Sequence, residues 1–197
     1  MTEASLVADT AELHVLTAGY IRRPEDRVAS TVTFVRDENM RLVVDPGLVA
    51  SRDAILGPLA ELGVRPEDVT DVVFSHHHPD HTLNAALFPA ARFHDYWATY
   101  QDDLWIIPAE TDRDLSRSVR LIATPGHTPQ DISTLVGTAD GVAAMTHLWF
   151  SADGPPEDPV ATDPDALHAG RARILEIADL IVPGHGPAFK PGPDTPR

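Results

Sequence analysis

The chain contains no cysteine, which excludes disulfides, thiolate metal ligands and a cysteine nucleophile. Lysine is almost as scarce, with Lys190 the only one in 197 residues. Basic residues are outnumbered 15 to 30 by acidic ones, for a formal net charge of −15, and Arg22-Arg23 is the only adjacent basic pair. Nucleic-acid binding depends on Lys and Arg neutralising phosphates. So acidic a chain is expected to act on a small molecule rather than on nucleic acid. No apolar run approaches the roughly 20 residues that span a bilayer. The segment Met1 to Thr10 lacks the basic start and apolar block of a secretory signal, so the expected location is cytoplasmic. The length suits a single domain over 1–197, with 1–10 and 191–197 expected as loose tails.

What the chain has is histidine, grouped at three places. Residues 75–81 read Ser-His-His-His-Pro-Asp-His. In an extended segment, His76 and His78 leave the same face, Pro79 then fixes the turn, and Asp80 and His81 follow. His77 alone reads as a polar loop residue. Two later loops, Thr124-Pro125-Gly126-His127-Thr128 and Pro183-Gly184-His185-Gly186-Pro187, also follow short apolar runs. Three strand-to-loop junctions ending in histidine would set their side chains on one rim of a sheet, where sites on such scaffolds are built. Imidazole and carboxylate are the nitrogen and oxygen ligands of zinc, iron or manganese. His14, His94 and His168 stand outside any motif and read as structural or surface residues.

The pattern His-x-His-x-Asp-His, then a Gly-His loop, then Pro-Gly-His-Gly resembles the metallo-β-lactamase superfamily, and in particular its small stand-alone hydrolases. The likeness runs from about Asp45 to His185. It implies two mixed β-sheets packed face to face with helices outside, an αβ/βα four-layer sandwich with the site at one edge. It also implies one or two divalent metals, zinc first, held by His76, His78 and His127 and by Asp80, His81 and His185. Such a site turns bound water into a hydroxide that attacks a small ester, thioester, lactone or phosphodiester, with Asp80 the catalytic residue that orients it or relays its proton. Asp45 in Asp45-Pro46-Gly47 is equally a turn residue on chemistry alone; the resemblance makes it a support for the ligand histidines.

One departure stands out. The family places a metal-bridging carboxylate after a strand, and the corresponding strand here ends Met145-Thr146-His147-Leu148. Neutral imidazole has one free lone pair and cannot bridge as a carboxylate does. His147 is therefore expected to ligate one metal, or to sit beside a single one as a base or donor. The alternatives are a metal-dependent nuclease, or a metal-binding protein whose hydrolysis is lost or altered because His147 stands there.

Regular structure is expected as follows: strands at 12–21, 30–36, 40–44, 71–74, 91–94, 118–123, 131–136, 141–146 and 180–182, a late-starting or kinked helix over 51–62, a brief helix over 82–87, and a helix over 164–178 capped by Asp163. Aromatic residues cluster close in sequence to the ligand segments. Tyr96, Trp97, Trp105, Trp149 and Phe150 are the candidates to line a substrate pocket.

Overall fold

The computed structural model describes residues 11–197; the tail expected at 1–10 lies outside the described residues. Strands β1 (Glu12–Thr17), β4 (Val32–Asp37), β5 (Met40–Val44), β6 (Asp71–Val73), β7 (Arg92–His94), β8 (Thr99–Gln101) and β9 (Leu104–Ile106) form one sheet in that order. Strands β10 (Arg113–Asp114), β11 (Val119–Ala123), β12 (Ile132–Thr138), β13 (Gly141–Thr146) and β14 (Leu180–Pro183) form the second. A separate two-stranded ribbon pairs β2 (Tyr20–Arg22) with β3 (Arg27–Ala29). Three helices complete the fold: α1 (Asp53–Glu61), α2 (Pro79–Thr82) and α3 (Pro164–Ile177).

Side chains alternate across each strand, and this alternation builds the layers. From β4, β5 and β6, the side chains of Val35, Leu42, Val44 and Val73 meet Leu121, Ile132, Val136, Met145 and Val182 of the other sheet. Their neighbours Phe34, Val43 and Val72 point the opposite way, onto Ile55 and Leu59 of α1. On the far side Ile122, Leu135, Ala144 and Ile181 pack on Leu167 and Ile174 of α3. Helix, sheet, sheet, helix is the order of layers, the expected αβ/βα sandwich.

Local chemistry explains the boundaries that moved. The long strand expected over 12–21 breaks at Gly19, where a Cβ would lie 2.4 Å from the Ala29 carbonyl oxygen. Helix α1 starts late, at Asp53, and carries Pro58 inside it. Asp163 caps α3 by accepting the Ala166 N–H at 3.0 Å, as such a residue should. The tail at 191–197, expected to be loose, is tied back: the Trp149 indole donates to the Pro196 carbonyl at 2.9 Å, and His168 Nδ1 lies 2.6 Å from the Arg197 carbonyl. Among the described residues no helix is long and apolar enough to cross a membrane.

Strand direction positions the site. Strands β5 and β6 run parallel, as do β13 and β14, and β11 points the same way as β13 because both are antiparallel to β12. The segments after β5, β6, β11, β13 and β14 therefore emerge on one rim. They carry Asp45, the 75–81 segment, His127, His147 and His185.

Candidate metal centre

The rim is knitted by backbone bonds, two between the sheets and two between loops of one sheet. The Ile132 N–H donates to Ser75 O at 2.9 Å, Thr31 N–H to Gly184 O at 2.8 Å, His185 N–H to Phe150 O at 2.8 Å, and Leu48 N–H to Asp80 O at 2.8 Å. Gly47 is required where its loop crosses α2, because a Cβ there would lie 1.6 Å from the Asp80 carbonyl oxygen. These contacts bring six histidines and Asp80 together in three groups: His76, His78 and His127; His76, His81 and His147; Asp80, His81 and His185. Within each group the candidate ligand atoms all lie within 4.8 Å of one another.

Four of the six rings are held from behind through Nδ1. His76 Nδ1 lies 3.0 Å from Ser75 Oγ, His81 Nδ1 2.8 Å from Asp45 Oδ2, His127 Nδ1 2.6 Å from Asp158 Oδ2, and His185 Nδ1 3.0 Å from the Ala29 carbonyl. Each anchor places the ring proton on Nδ1 and turns the Nε2 lone pair inward, the orientation a metal ligand needs. Asp45 serves two rings. It accepts the Ser75 N–H at 2.7 Å and the Ser75 hydroxyl at 2.7 Å as well as the His81 bond, so it steadies His76 through Ser75. Its own backbone sits in the left-handed region, at φ 51°. His78 presents Nδ1 instead, 3.0 Å from both His76 Nε2 and His127 Nε2.

His147 is the exception. Its Nε2 lies 3.1 Å from His185 Nε2, while its buried Nδ1 has no hydrogen-bond partner. The ring is packed on all sides, with centroids 4.2 Å from His127, 4.5 Å from His76 and 4.8 Å from His81.

Electrostatics favour neutral rings over most of the cluster. Burial, then the neighbouring imidazoles, push His76 and His147 far below the ordinary histidine range, and burial foremost lowers His185 to about 4. His81 goes the other way: burial opposes its charge, but the carboxylates of Asp45 and Asp80 outweigh it and raise its pKa. His81 Nε2 is a second buried nitrogen without a hydrogen-bond partner; Asp80 Oδ2 lies 3.4 Å from it and 3.6 Å from His185 Nε2. Leaving such a nitrogen unpaired costs about 1–3 kcal/mol, a cost that coordination at His81 Nε2 would remove. The donor set, imidazoles with one inward carboxylate and no thiolate, fits a divalent transition metal.

A cleft of about 340 Å³ opens above His78, Asp80, His127, His147 and His185. Of the five aromatic residues expected in its walls, only Phe150 lines it. Trp149 is fully buried with Leu148 against α3: the turn after β13 sends His147 and Phe150 to the cleft and the two residues between them to the core. Tyr96 packs on the core between the sheets. Trp97 and Trp105 are 50% and 66% exposed, carried away from the rim by the hairpin that extends the first sheet. Asp95 organises that departure, accepting the N–H groups of Trp97 and Ala98, the Tyr100 hydroxyl and a bond from His77. His77 thus faces away from His76 and His78, under the Trp97 ring. His94 is likewise structural, between Asp71 and Thr99. The cleft walls come instead from the β2–β3 ribbon and Val160.

Sequence reasoning missed Asp158, Ser75 and the Ala29 carbonyl as anchors. Asp158 lies in the Pro- and Asp-rich 151–163 loop, where no periodicity marks a functional residue. Ser75 carried a signal, its adjacency to His76. The Ala29 carbonyl carried none, since a backbone acceptor has no sequence signature.

Comparison with known proteins shows the family and the fold. The profile of the Metallo-beta-lactamase superfamily matches residues 26–188. A Xenopus laevis protein named Metallo-beta-lactamase domain-containing protein 1 is 35% identical over 194 residues, covering 90% of this chain and 81% of its own length. The chain spans 59% and 60% of the human and mouse proteins of the same name. Among solved structures, a Thermotoga maritima protein described as a metallo-beta-lactamase superposes with a TM-score of 0.74 at 24% identity, over 92% of this chain and 99% of that one. A B. thuringiensis protein, AiiA, with N-decanoyl-L-homoserine bound at its active site gives 0.66 at 16% identity, over 90% and 93%.

Proposed function

We propose, starting from the fact that this chain belongs to the metallo-beta-lactamase superfamily, that it is a metal-dependent hydrolase of a small carbonyl ester, thioester or lactone. The observation that carries this reading is the set of four Nδ1 anchors, which aim imidazole lone pairs into the floor of an open cleft. His76, His78 and His127 would hold one divalent ion and Asp80, His81 and His185 a second, with zinc the first choice for such donors and iron or manganese the others. When bound, the metal supplies Lewis acidity and lowers the pKa of water.

The chain's own residues do the rest. Asp45 and Asp158 hold the rings in register and raise their basicity as donors. Asp80, the one inward carboxylate, is partly open to the cleft and is the acceptor placed to orient a proton at its Oδ atoms. Phe150 and Val160 give the cleft apolar walls that hold an acyl group and shed water. The acyl-homoserine seen in the AiiA structure favours carbonyl over phosphorus chemistry.

The test is metal content of protein purified without chelator, followed by a panel of chromogenic esters, thioesters, lactones, β-lactams and phosphodiesters. Hydrolysis of carbonyl substrates, lost with chelator and restored by metal, is expected. Fully metallated protein that is silent on every carbonyl substrate would refute the reading, and turnover of phosphodiesters alone would move the activity to phosphorus.

A further inference from the structure

The β2–β3 ribbon belongs to neither large sheet, and a lone two-stranded hairpin is marginally stable by itself. Its register is unusual. Arg22 pairs directly with Arg27, and directly opposed residues on an antiparallel ribbon have Cβ atoms about 4.5–5.5 Å apart on the same face, where like charges are destabilising. Arg23 follows at once, so three guanidinium groups crowd one short ribbon in a chain of formal net charge −15. None of the three takes part in an ion pair among the described residues. Arg22 is steadied by the Tyr20 ring, 4.4 Å from its centroid.

All three arginines line the cleft above the histidine floor. Arg27 also borders an adjoining cleft along Leu48 and Pro79, and Arg23 another along Ser151 and Gly186. Arg23 and Arg27 therefore stand between neighbouring clefts. The nearby acids are Asp26 in the same wall and Asp80 on the floor, with Glu25 at the ribbon tip. Within the ribbon itself, Glu25 and Asp26 against three arginines leave one net positive charge. Ile21 and Val28, the next pair along the ribbon, project from its other face, are apolar and exposed, and border the cleft with Phe150. The cleft thus runs from a nitrogen-rich floor, past apolar walls, to a cationic rim.

We infer that Arg22, Arg23 and Arg27 bind an oxyanion, a carboxylate or a phosphate, at the end of a small amphiphilic substrate remote from its scissile ester. The claim rests on the hydrolase reading for the word ester, not for the anion site. A planar guanidinium fork matches either oxyanion in a bidentate way, and a bound anion would relieve the Arg22–Arg27 repulsion that the free protein carries.

The test uses metal-loaded protein and two variants, Arg22→Gln/Arg27→Gln and Arg22→Lys/Arg27→Lys, each first shown to unfold thermally like the wild type. Calorimetry compares linear dicarboxylates and ω-phosphonocarboxylates of four to ten carbons with monocarboxylates of equal length. Wild type should bind the best doubly anionic probe about tenfold more tightly than its monoanionic partner. That gain should vanish in the Gln variant, shrink in the Lys variant, and leave monocarboxylate binding unchanged in both. The dicarboxylate and phosphonate arms tell which oxyanion is preferred. In kinetics, KM for mono-p-nitrophenyl adipate should rise in the Gln variant by a larger factor than KM for p-nitrophenyl hexanoate, without change in kcat. No gain in wild type, or a gain that survives in the Gln variant, would overturn the inference. So would tighter binding of single-stranded RNA than of every small probe, lost in the same variant. If the binding gain appears but no ester, thioester or lactone is turned over, the anion site stands and the hydrolase reading falls.

Discussion

Replacing Gly184 with alanine tests the central position of His147 without replacing a candidate ligand. A Cβ at residue 184 would lie 2.4 Å from His147 Cδ2, 2.9 Å from Nε2 and 3.2 Å from Cγ. The closest approach is about 1 Å short of ordinary contact, so something must move. The backbone is pinned: Gly184 N–H donates to Trp149 O at 3.1 Å and its carbonyl accepts Thr31 N–H at 2.8 Å. The ring has little room, with His127, His76 and His81 at centroid distances of 4.2, 4.5 and 4.8 Å and Phe150 at 5.2 Å. Forced packing of this kind costs about 1–3 kcal/mol, roughly 2–12 °C in Tm for a chain of this size. The strain falls on rings that the proposed metals need, so the rise in Tm on adding zinc to chelated protein, a measure of binding to the native state alone, should shrink as well. Gly57→Ala is the control. Beyond its chain neighbours and its own helix, nothing lies within 4 Å of a Cβ there; Pro58 follows and disfavours a Cβ on a helical residue before it, so Tm should not rise, while the gain in Tm from zinc should match the wild type. If Gly184→Ala melts with the wild type, binds the same amount of metal and gains the same Tm from zinc, the packing argument around His147 is wrong.

Asp45→Ala removes the carboxylate that anchors His81 directly and His76 through Ser75; metal affinity should fall about 10–100-fold, as read by competition with a fluorescent chelator. Asp158→Ala frees His127 alone and should weaken only the site that His127 shares with His76 and His78, so a metal titration should lose one step and keep the other. Asp71 is a buried carboxylate whose bonds from His94 and Thr70 and nearby Arg92 outweigh its burial and hold its pKa below the ordinary 3.8. A depressed pKa means its contribution to stability is complete above pH 3.8 and is lost as pH falls through the folded-state value. Wild type in chelator should therefore lose stability more steeply below about pH 4 than Asp71→Asn, by denaturant titration at each pH.

Much of this was legible from residue patterns because the patterns are local. The β-propensity of Thr31 to Val35 marks β4, the Asp163 cap marks the start of α3, and the histidine loops mark a shared rim because each ends a short apolar strand. The cleft walls were misread for the opposite reason. Trp149 and Trp97 are near the ligand segments in sequence, but side-chain direction depends on how the chain turns after β13 and on how Asp95 folds residues 95–100 around itself. The ribbon that does form the wall spans the end of the strand expected over 12–21 and the stretch between it and the strand expected over 30–36. Its arginines become a site only when the fold sets residues 22, 23 and 27 over residues 127 and 185. The anchors Asp158 and the Ala29 carbonyl were hidden likewise, since each reaches its histidine across 31 and 156 residues.

His147 poses the remaining energetic question: whether two dications can share a site with no carboxylate between them. At an effective dielectric near 20, a negative charge about 2 Å from a dication attracts each unit of its charge by roughly 8 kcal/mol, and one about 6.5 Å away by roughly 2.5 kcal/mol. The shorter separation is that of a direct ligand. The longer is that of a carboxylate acting through an imidazole, as Asp45 acts on His81 and Asp158 on His127. Each outer acid therefore restores about a third of what a central carboxylate would supply, and the two together leave a deficit. His147 does not make it up, because its ring is driven neutral and its Nδ1 has no anchor. Asp80 contributes directly, but only to the group it forms with His81 and His185. Two metals should accordingly bind in unequal steps, the first more tightly. His147→Asp should draw the steps together by raising the weaker affinity, and His147→Ala should leave the stronger step intact. Titration of zinc into chelated protein, followed by calorimetry, reads both. Two equal, high-affinity steps in the wild type, unchanged in His147→Asp, would show that charge compensation does not govern this site.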